Sequence, residues 1–219
     1  MTDKPVLTGP SFSPASGGPA KQLVIFLHGV GANGDDLIGL APILSKALPD
    51  AEFLAPNAPE PCDMGPFGYQ WFSLQDRSPS AIESGVRSSA ILVNQFIDDS
   101  CNLYNIEPNK VALFGFSQGC MMSLFVGLRR KSELAAILGY SGTLVAPEKL
   151  CDEIVSRPPV LLVHGEADPV VPFEMFERAK AGLLSAGVDV SALSRPELGH
   201  GIDEDGIRKG LDLLVNRLL

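Results

Sequence analysis

What the chain has little of narrows its function first. Among 219 residues there are three histidines, four cysteines and one tryptophan. The cysteines (Cys62, Cys101, Cys120, Cys151) form no C-x-x-C pair and have no histidine at ligand spacing. Neither a zinc site nor a disulfide scaffold is expected, and small half-buried thiols in a reducing compartment are. No apolar run approaches the ~18 residues that a membrane span needs. A secretory h-region is missing too, because "TGPSFSPASGGPA" occupies its place. Positive charge is short: 17 Lys and Arg against 26 Asp and Glu give a formal net charge of −9. That balance offers no footprint for nucleic acid or an anionic membrane surface. Repeats, low-complexity tracts and interdomain linkers are all absent. The expectation is one soluble, cytoplasmic domain over 1–219, whose Pro/Gly/Ser-rich segment 1–20 forms an edge strand or hairpin.

What is there alternates. Short apolar runs that read as fully buried strands ("QLVIFLHG", "EFLAPNAP", "KVALFGFS", "LAAILGYSG", "PPVLLVHGEAD", "VDVSALSRP") are separated by helix-length segments. The first helix is expected over 35–49, capped by Asp35 or Asp36 and weakened after its first turn by Pro42. Residues 60–80 form a long loop, a length that usually carries function. A long helix follows over 81–104. Helices are also expected in "QGCMMSLFVGLRR", "PFEMFERAKAGLLSAG" and the closing "DEDGIRKGLDLLVNRLL". The apolar face of the last would pack on the sheet or extend into a homodimer contact. Together these imply an α/β fold, a mostly parallel twisted sheet with helices on both faces. Segment 143–158 is too short for a cap domain.

In such a sheet the chemistry collects at the C-terminal strand ends. One end reads "FGFSQG", a G-x-S-x-G in strand–turn–helix context, which projects the Ser117 hydroxyl from a strained turn. With 22 glycines in the chain the motif alone is weak, and its context decides. "GYSGT" also follows a strand, but Thr143 replaces the second glycine, so Ser141 reads as a turn residue. A serine needs a base and an orienting acid, and in this fold they follow it in the chain. Of the histidines only His200, in "ELGHGID" after the last strand, stands where the base belongs; His28 and His164 each precede a glycine at a strand end. Asp168, just past a strand end and pinned by Pro169 and Pro172, is the acid, with Glu166 its nearest rival.

"HGVGANGDD" places Gly29, Gly31 and Gly34 as G-x-G-x-x-G, the spacing of a pyrophosphate loop. The next strand, however, ends in "APNAP" with no ribose-binding carboxylate. Asp35 and Asp36 would also repel a phosphate at the helix start. The glycines instead suit an oxyanion hole, with the N–H of Val30 paired with that of Gln118, the residue after the nucleophile.

In order, "VIFLHGVGANGDD", "APNAP", "QWF", "VALFGFSQG", "HGEADPVVP" and "GHGI" resemble the carboxylesterase/phospholipase family of α/β-hydrolases, which includes acyl-protein thioesterases and lysophospholipases. The resemblance runs from about Leu23 to the C-terminus and looks bacterial in type. It implies a Ser117–Asp168–His200 triad and an oxyanion hole at Val30 and Gln118, with no metal or organic cofactor. Trp71 falls where the family lines its acyl pocket, although a core position suits it as well. Met121 follows the elbow where eukaryotic members carry small residues, and is the second candidate substrate-binding residue. The activity implied is a serine carboxylesterase for short to medium acyl esters, open-sited and walled by the 60–80 loop. The alternative is a lysophospholipase or acyl-protein thioesterase acting on longer chains.

Overall fold

The computed structural model describes residues 6–219, so residues 1–5 of the N-terminal segment lie outside it. The chain opens with β1 (Ser11–Phe12), β2 (Gln22–Leu27), α1 (Gly34–Ile38), α2 (Ala41–Leu44) and β3 (Ala51–Leu54). A short hairpin of β4 (Glu60–Pro61) and β5 (Tyr69–Gln70) precedes α3 (Pro79–Tyr104) and β6 (Val111–Phe116). Next come α4 (Gln118–Gly127), β7 (Ala136–Tyr140), α5 (Pro147–Glu153) and β8 (Val160–Gly165). The chain closes with α6 (Phe173–Ser185), β9 (Val190–Arg195) and α7 (Glu204–Leu218).

Seven strands make the main sheet in the order β1-β3-β2-β6-β7-β8-β9. All pairings are parallel except the edge, where β1 runs antiparallel to β3. β1, from the N-terminal segment, is the edge strand. The central strands are apolar throughout because both faces are covered. Leu23, Ile25 and Leu27 point to the face under α3 and α4, while Val24 and Phe26 point to the face under α1, α2 and α7. On that second face Phe53, Phe26, Phe114 and Tyr140 line up across four strands, with successive centroids 6.0, 5.2 and 4.4 Å apart. Each such pair adds about 0.5–1.5 kcal/mol beyond its buried area. The Tyr140 hydroxyl donates to the Gly206 carbonyl at 3.0 Å, and Leu214 and Leu218 are fully buried. The apolar face of α7 therefore packs on the sheet.

Two expectations change. The helix expected over 35–49 divides into α1 and α2 around Gly39, with Pro42 in the first turn of α2 rather than mid-helix. The cap of α1 is Asn33, whose side chain accepts from the Asp35 N–H at 2.9 Å while Asp36 returns a bond to the Asn33 N–H at 3.1 Å. Asp36 completes that capping box instead of being the cap. No helix is long and apolar enough to cross a membrane among the described residues.

Candidate active site

Ser117 is the single residue between β6 and α4. Its φ of 54° is a left-handed conformation that costs a non-glycine residue about 1–3 kcal/mol. The flanks hold it there. Its N–H donates to the Tyr140 carbonyl at 2.8 Å, and its own carbonyl accepts from the N–H groups of Cys120 and Met121 at 3.0 and 3.2 Å. A Cβ on Gly119 would stand 1.8 Å from the Leu27 carbonyl oxygen, so only glycine lets α4 start against the end of β2. Ser117 is 6 % exposed, at the C-terminal edge of the sheet.

Across from it, His200 lies in the turn from β9 to α7. Arg195 ahead of the turn donates to Asp203 beyond it at 2.5 Å, and the Ser141 hydroxyl donates to the Gly201 carbonyl at 3.1 Å. The imidazole packs on the Phe116 ring, 4.9 Å between centroids, beside Ser117. Its Nδ1 is 2.8 Å from Asp168 Oδ2. The other Asp168 oxygen accepts from the N–H groups of Val170 and Val171 at 2.8 and 2.9 Å. Burial pushes the Asp168 pKa up, but the bonds from His200 and from the two backbone N–H groups outweigh it and hold the carboxyl below the usual carboxylate range. An ionised Asp168 only accepts, so Nδ1 carries a proton in this contact and Nε2 faces away from the carboxylate. Glu166 is exposed and takes no part. Among the described residues no hydrogen bond joins Ser117 to His200. In ligand-free sites such contacts are often long and tighten only with substrate.

The Asp168 and His200 loops meet at Gly165, where a Cβ would lie 2.1 Å from the Leu198 carbonyl oxygen. His164, just before it, is buried at the same junction. Its Nε2 donates to the Val171 carbonyl at 2.9 Å and lies 3.4 Å from Asp168 Oδ2.

The third wall is the glycine turn. His28 donates from Nδ1 to the Gly29 carbonyl at 2.7 Å and accepts on Nε2 from the Ala58 N–H at 3.0 Å. Burial lowers its pKa and outweighs the raising influence of Gly29 and Asp36. It is a neutral structural pin, consistent with its exclusion as a base. A Cβ on Gly29 would approach Ser117 Cβ to 3.3 Å, which measures how close this turn comes to the candidate nucleophile. Beyond it, Gly31 N–H donates to the Tyr69 carbonyl at 2.9 Å and Tyr69 N–H returns a bond to Ala32 at 2.8 Å. The Val30 N–H, just ahead of these bonds, has no acceptor among the described residues. The start of α1 is also closed to a pyrophosphate, since Asn57 accepts from the Gly34 N–H at 2.8 Å.

Residues 60–80 therefore carry structure of their own, the β4–β5 hairpin clamped on the glycine turn. Trp71, expected on a pocket wall, has no exposed surface. Its indole N–H donates to the His28 carbonyl at 2.9 Å, and its backbone N–H donates to Gln118 Oε1 at 2.8 Å. It is a core brace: the two N–H groups tie the glycine turn to α4, and its carbonyl accepts from the Ser89 hydroxyl of α3. The Gln118 amide completes the brace by donating to the Phe72 carbonyl at 2.7 Å. Sequence reasoning assigned Gln118 only its backbone N–H; a side chain that both donates and accepts was the available clue. Met121 is half-buried and lines an apolar cleft of about 600 Å³ with Ile82, Leu144, Val145 and Met175. No group of three or more His, Cys, Asp or Glu side chains converges as a metal site among the described residues.

This arrangement can be set beside known proteins. The family model described as Phospholipase/Carboxylesterase matches residues 13–214. The chain belongs to that family. It is an α/β-hydrolase-fold enzyme of the carboxylic ester hydrolase class. Acyl-protein thioesterase 1 of Schizosaccharomyces pombe is 32 % identical over 182 residues, 79 % of this chain and 80 % of the relative. Esterase YpfH of Escherichia coli is 29 % identical over 90 % of this chain and 83 % of its own. Among solved structures, esterase PE8 superposes with a TM-score of 0.93 at 41 % identity, covering 97 % of this chain and all of that one.

Proposed function

We propose that this esterase-family member is a serine carboxylesterase for short to medium acyl esters, working through Ser117, His200 and Asp168 by way of an acyl-enzyme. The 2.8 Å bond that presents His200 to Asp168 beside a strained Ser117 carries the reading. Ser117 Oγ attacks the ester carbonyl while His200 Nε2 takes its proton. Asp168 holds the imidazole in the tautomer that leaves Nε2 free and then supports its positive charge. The oxyanion rests on the N–H groups of Val30 and Gln118, each worth about 3–4 kcal/mol in the transition state. The proton passes from His200 to the departing alcohol, and a water activated by the same nitrogen releases the acid. None of these steps calls for a metal or organic cofactor.

A second reading, action on longer acyl chains as a lysophospholipase or acyl-protein thioesterase, draws on the cleft beside Met121. At about 600 Å³ it exceeds what a short acyl group fills. Turnover of methyl esters from acetate to palmitate separates the two. A maximum between about four and ten carbons is expected, reached after a rise of up to ~0.8 kcal/mol per buried methylene. A continued rise through sixteen would favour the second reading, and no turnover of any ester would sink both.

A further inference from the structure

A second cavity of about 350 Å³ lies on the opposite face of the sheet from the Met121 cleft, lined by Gly29, Leu37, Leu40, Phe116 and Ile202. It shares no lining residue with the Met121 cleft. Its position is chemically specific. Phe116 is the ring on which His200 packs, and Ile202 lies two residues beyond His200. When the tetrahedral intermediate collapses, the carbon–oxygen bond to the alcohol breaks and the leaving oxygen takes the proton from His200 Nε2. The leaving group must therefore lie on the His200 side, and the acyl chain must point away from it. The Met121 cleft satisfies the second condition, since Met121 lies one helical turn along α4 from Ser117. The smaller cavity satisfies the first.

The polar groups around this cavity are acceptors or already engaged. His28 is committed at both ring nitrogens, to Gly29 and to Ala58. Asp36 adds a carboxylate to the lining, with Oδ2 accepting only from the Asn33 N–H at 3.1 Å. No Lys or Arg lines the cavity. An anionic leaving group would meet unpaired negative charge, within a chain whose net charge is already −9.

We propose, resting on the Ser117–His200 reading above, that this cavity is the leaving-group subsite and that it selects esters of compact, apolar alcohols that are neutral or cationic. Phosphate-bearing alcohols are disfavoured, which sets the subsite against the lysophospholipase alternative. The test keeps the acyl group fixed as butyrate and varies the alcohol among methanol, 3,3-dimethylbutanol, choline and 3-sulfopropanol. Wild type should turn over the dimethylbutyl and choline esters at least tenfold faster, by kcat/KM, than the sulfopropyl ester. Asp36→Asn, which keeps an acceptor for the cap, should shrink the choline-to-sulfopropyl ratio about fivefold. Leu40→Trp, or Ile202→Trp from the opposite wall should the first not fold, should cut the dimethylbutyl-to-methyl ratio at least tenfold with little change in the octanoate-to-butyrate ratio of methyl esters. Ile82→Trp in the other cleft should do the reverse. If the wall variants move the acyl ratio instead, or if the sulfopropyl ester is as good as choline, the assignment is overturned. Fluorophosphonate labelling of Ser117 in each variant separates this failure from failure of the underlying reading: labelled protein with the wrong ratios overturns only the subsite, whereas unlabelled wild type overturns both.

Discussion

Ser117 and Ser141 are nearly the same residue in two places. Each follows a central parallel strand, and the residues before them, Phe116 and Tyr140, are register partners. Both have left-handed backbones, with φ of 54° and 48°, and both donate their N–H to the next strand, to Tyr140 at 2.8 Å and to Val163 at 2.9 Å. The difference is what comes after. Ser117 starts a helix whose first turn lies against β2, and its hydroxyl makes no hydrogen bond among the described residues. Ser141 enters a loop, is fully buried, and commits its hydroxyl to the Gly201 carbonyl. Backbone strain therefore does not single out the candidate nucleophile. The two turns differ at the second glycine of the motif, because Gly119 permits a helix that Thr143 does not begin.

Removing each hydroxyl separates the two serines most sharply. Ser117→Ala should lose roughly 10⁴-fold or more in kcat, the scale of losing a triad nucleophile. Ser141→Ala should keep turnover within about tenfold and cost about 1 kcal/mol of stability for the lost bond to the His200 loop. Equal losses of turnover would erase the distinction between the two serines.

Next in size is the glycine pair. Gly119→Ala drives a methyl group into the Leu27 carbonyl and should destabilise by roughly 3 kcal/mol, read as a shift in urea midpoint. Gly142→Ala meets Cys120 Cβ at 2.5 Å and the Ser117 carbonyl oxygen at 2.8 Å, and should cost less because these contacts are looser than the 1.8 Å approach at Gly119. The reverse order would mean that the approach of α4 to β2 does not set the Ser117 turn.

The smallest effect concerns the turn facing Ser117. His28 is neutral when folded, with a pKa lowered from 6.5 by burial. The unfolded chain takes up its proton near 6.5, the native chain only at lower pH. Its contribution to stability is full above that value and is lost as pH falls below it, until the native imidazole itself protonates. Urea midpoints between pH 7.5 and 5 should fall, and His28→Gln should flatten that slope. An unchanged slope would show that His28 does not pin the turn by staying neutral.

The strands were legible because both faces of the sheet are covered, which makes β2, β6 and β8 continuous apolar runs. The positions of Ser117, Asp168 and His200 followed from chain order at strand ends, and the structure brings the latter two into contact. Harder to read were features set by contacts distant in sequence. The β4–β5 hairpin has two-residue strands held largely by the glycine turn, so no local periodicity announces it. Trp71 is a core brace because its indole meets a carbonyl 43 residues away. The Ser141 hydroxyl has its partner 60 residues on. Asn33 outcompetes Asp35 and Asp36 as the cap through its backbone position, which composition does not encode.

The geometry predicts that Ser117 alone is activated, by an imidazole that Asp168 orients. Intact-mass measurement after fluorophosphonate exposure tests it on wild type, Ser117→Ala, Ser141→Ala and His200→Ala. One adduct is expected on wild type and on Ser141→Ala, none on Ser117→Ala, and labelling slowed at least a hundredfold on His200→Ala. A folded wild type that takes no adduct, or a Ser117→Ala variant that still takes one, would contradict it.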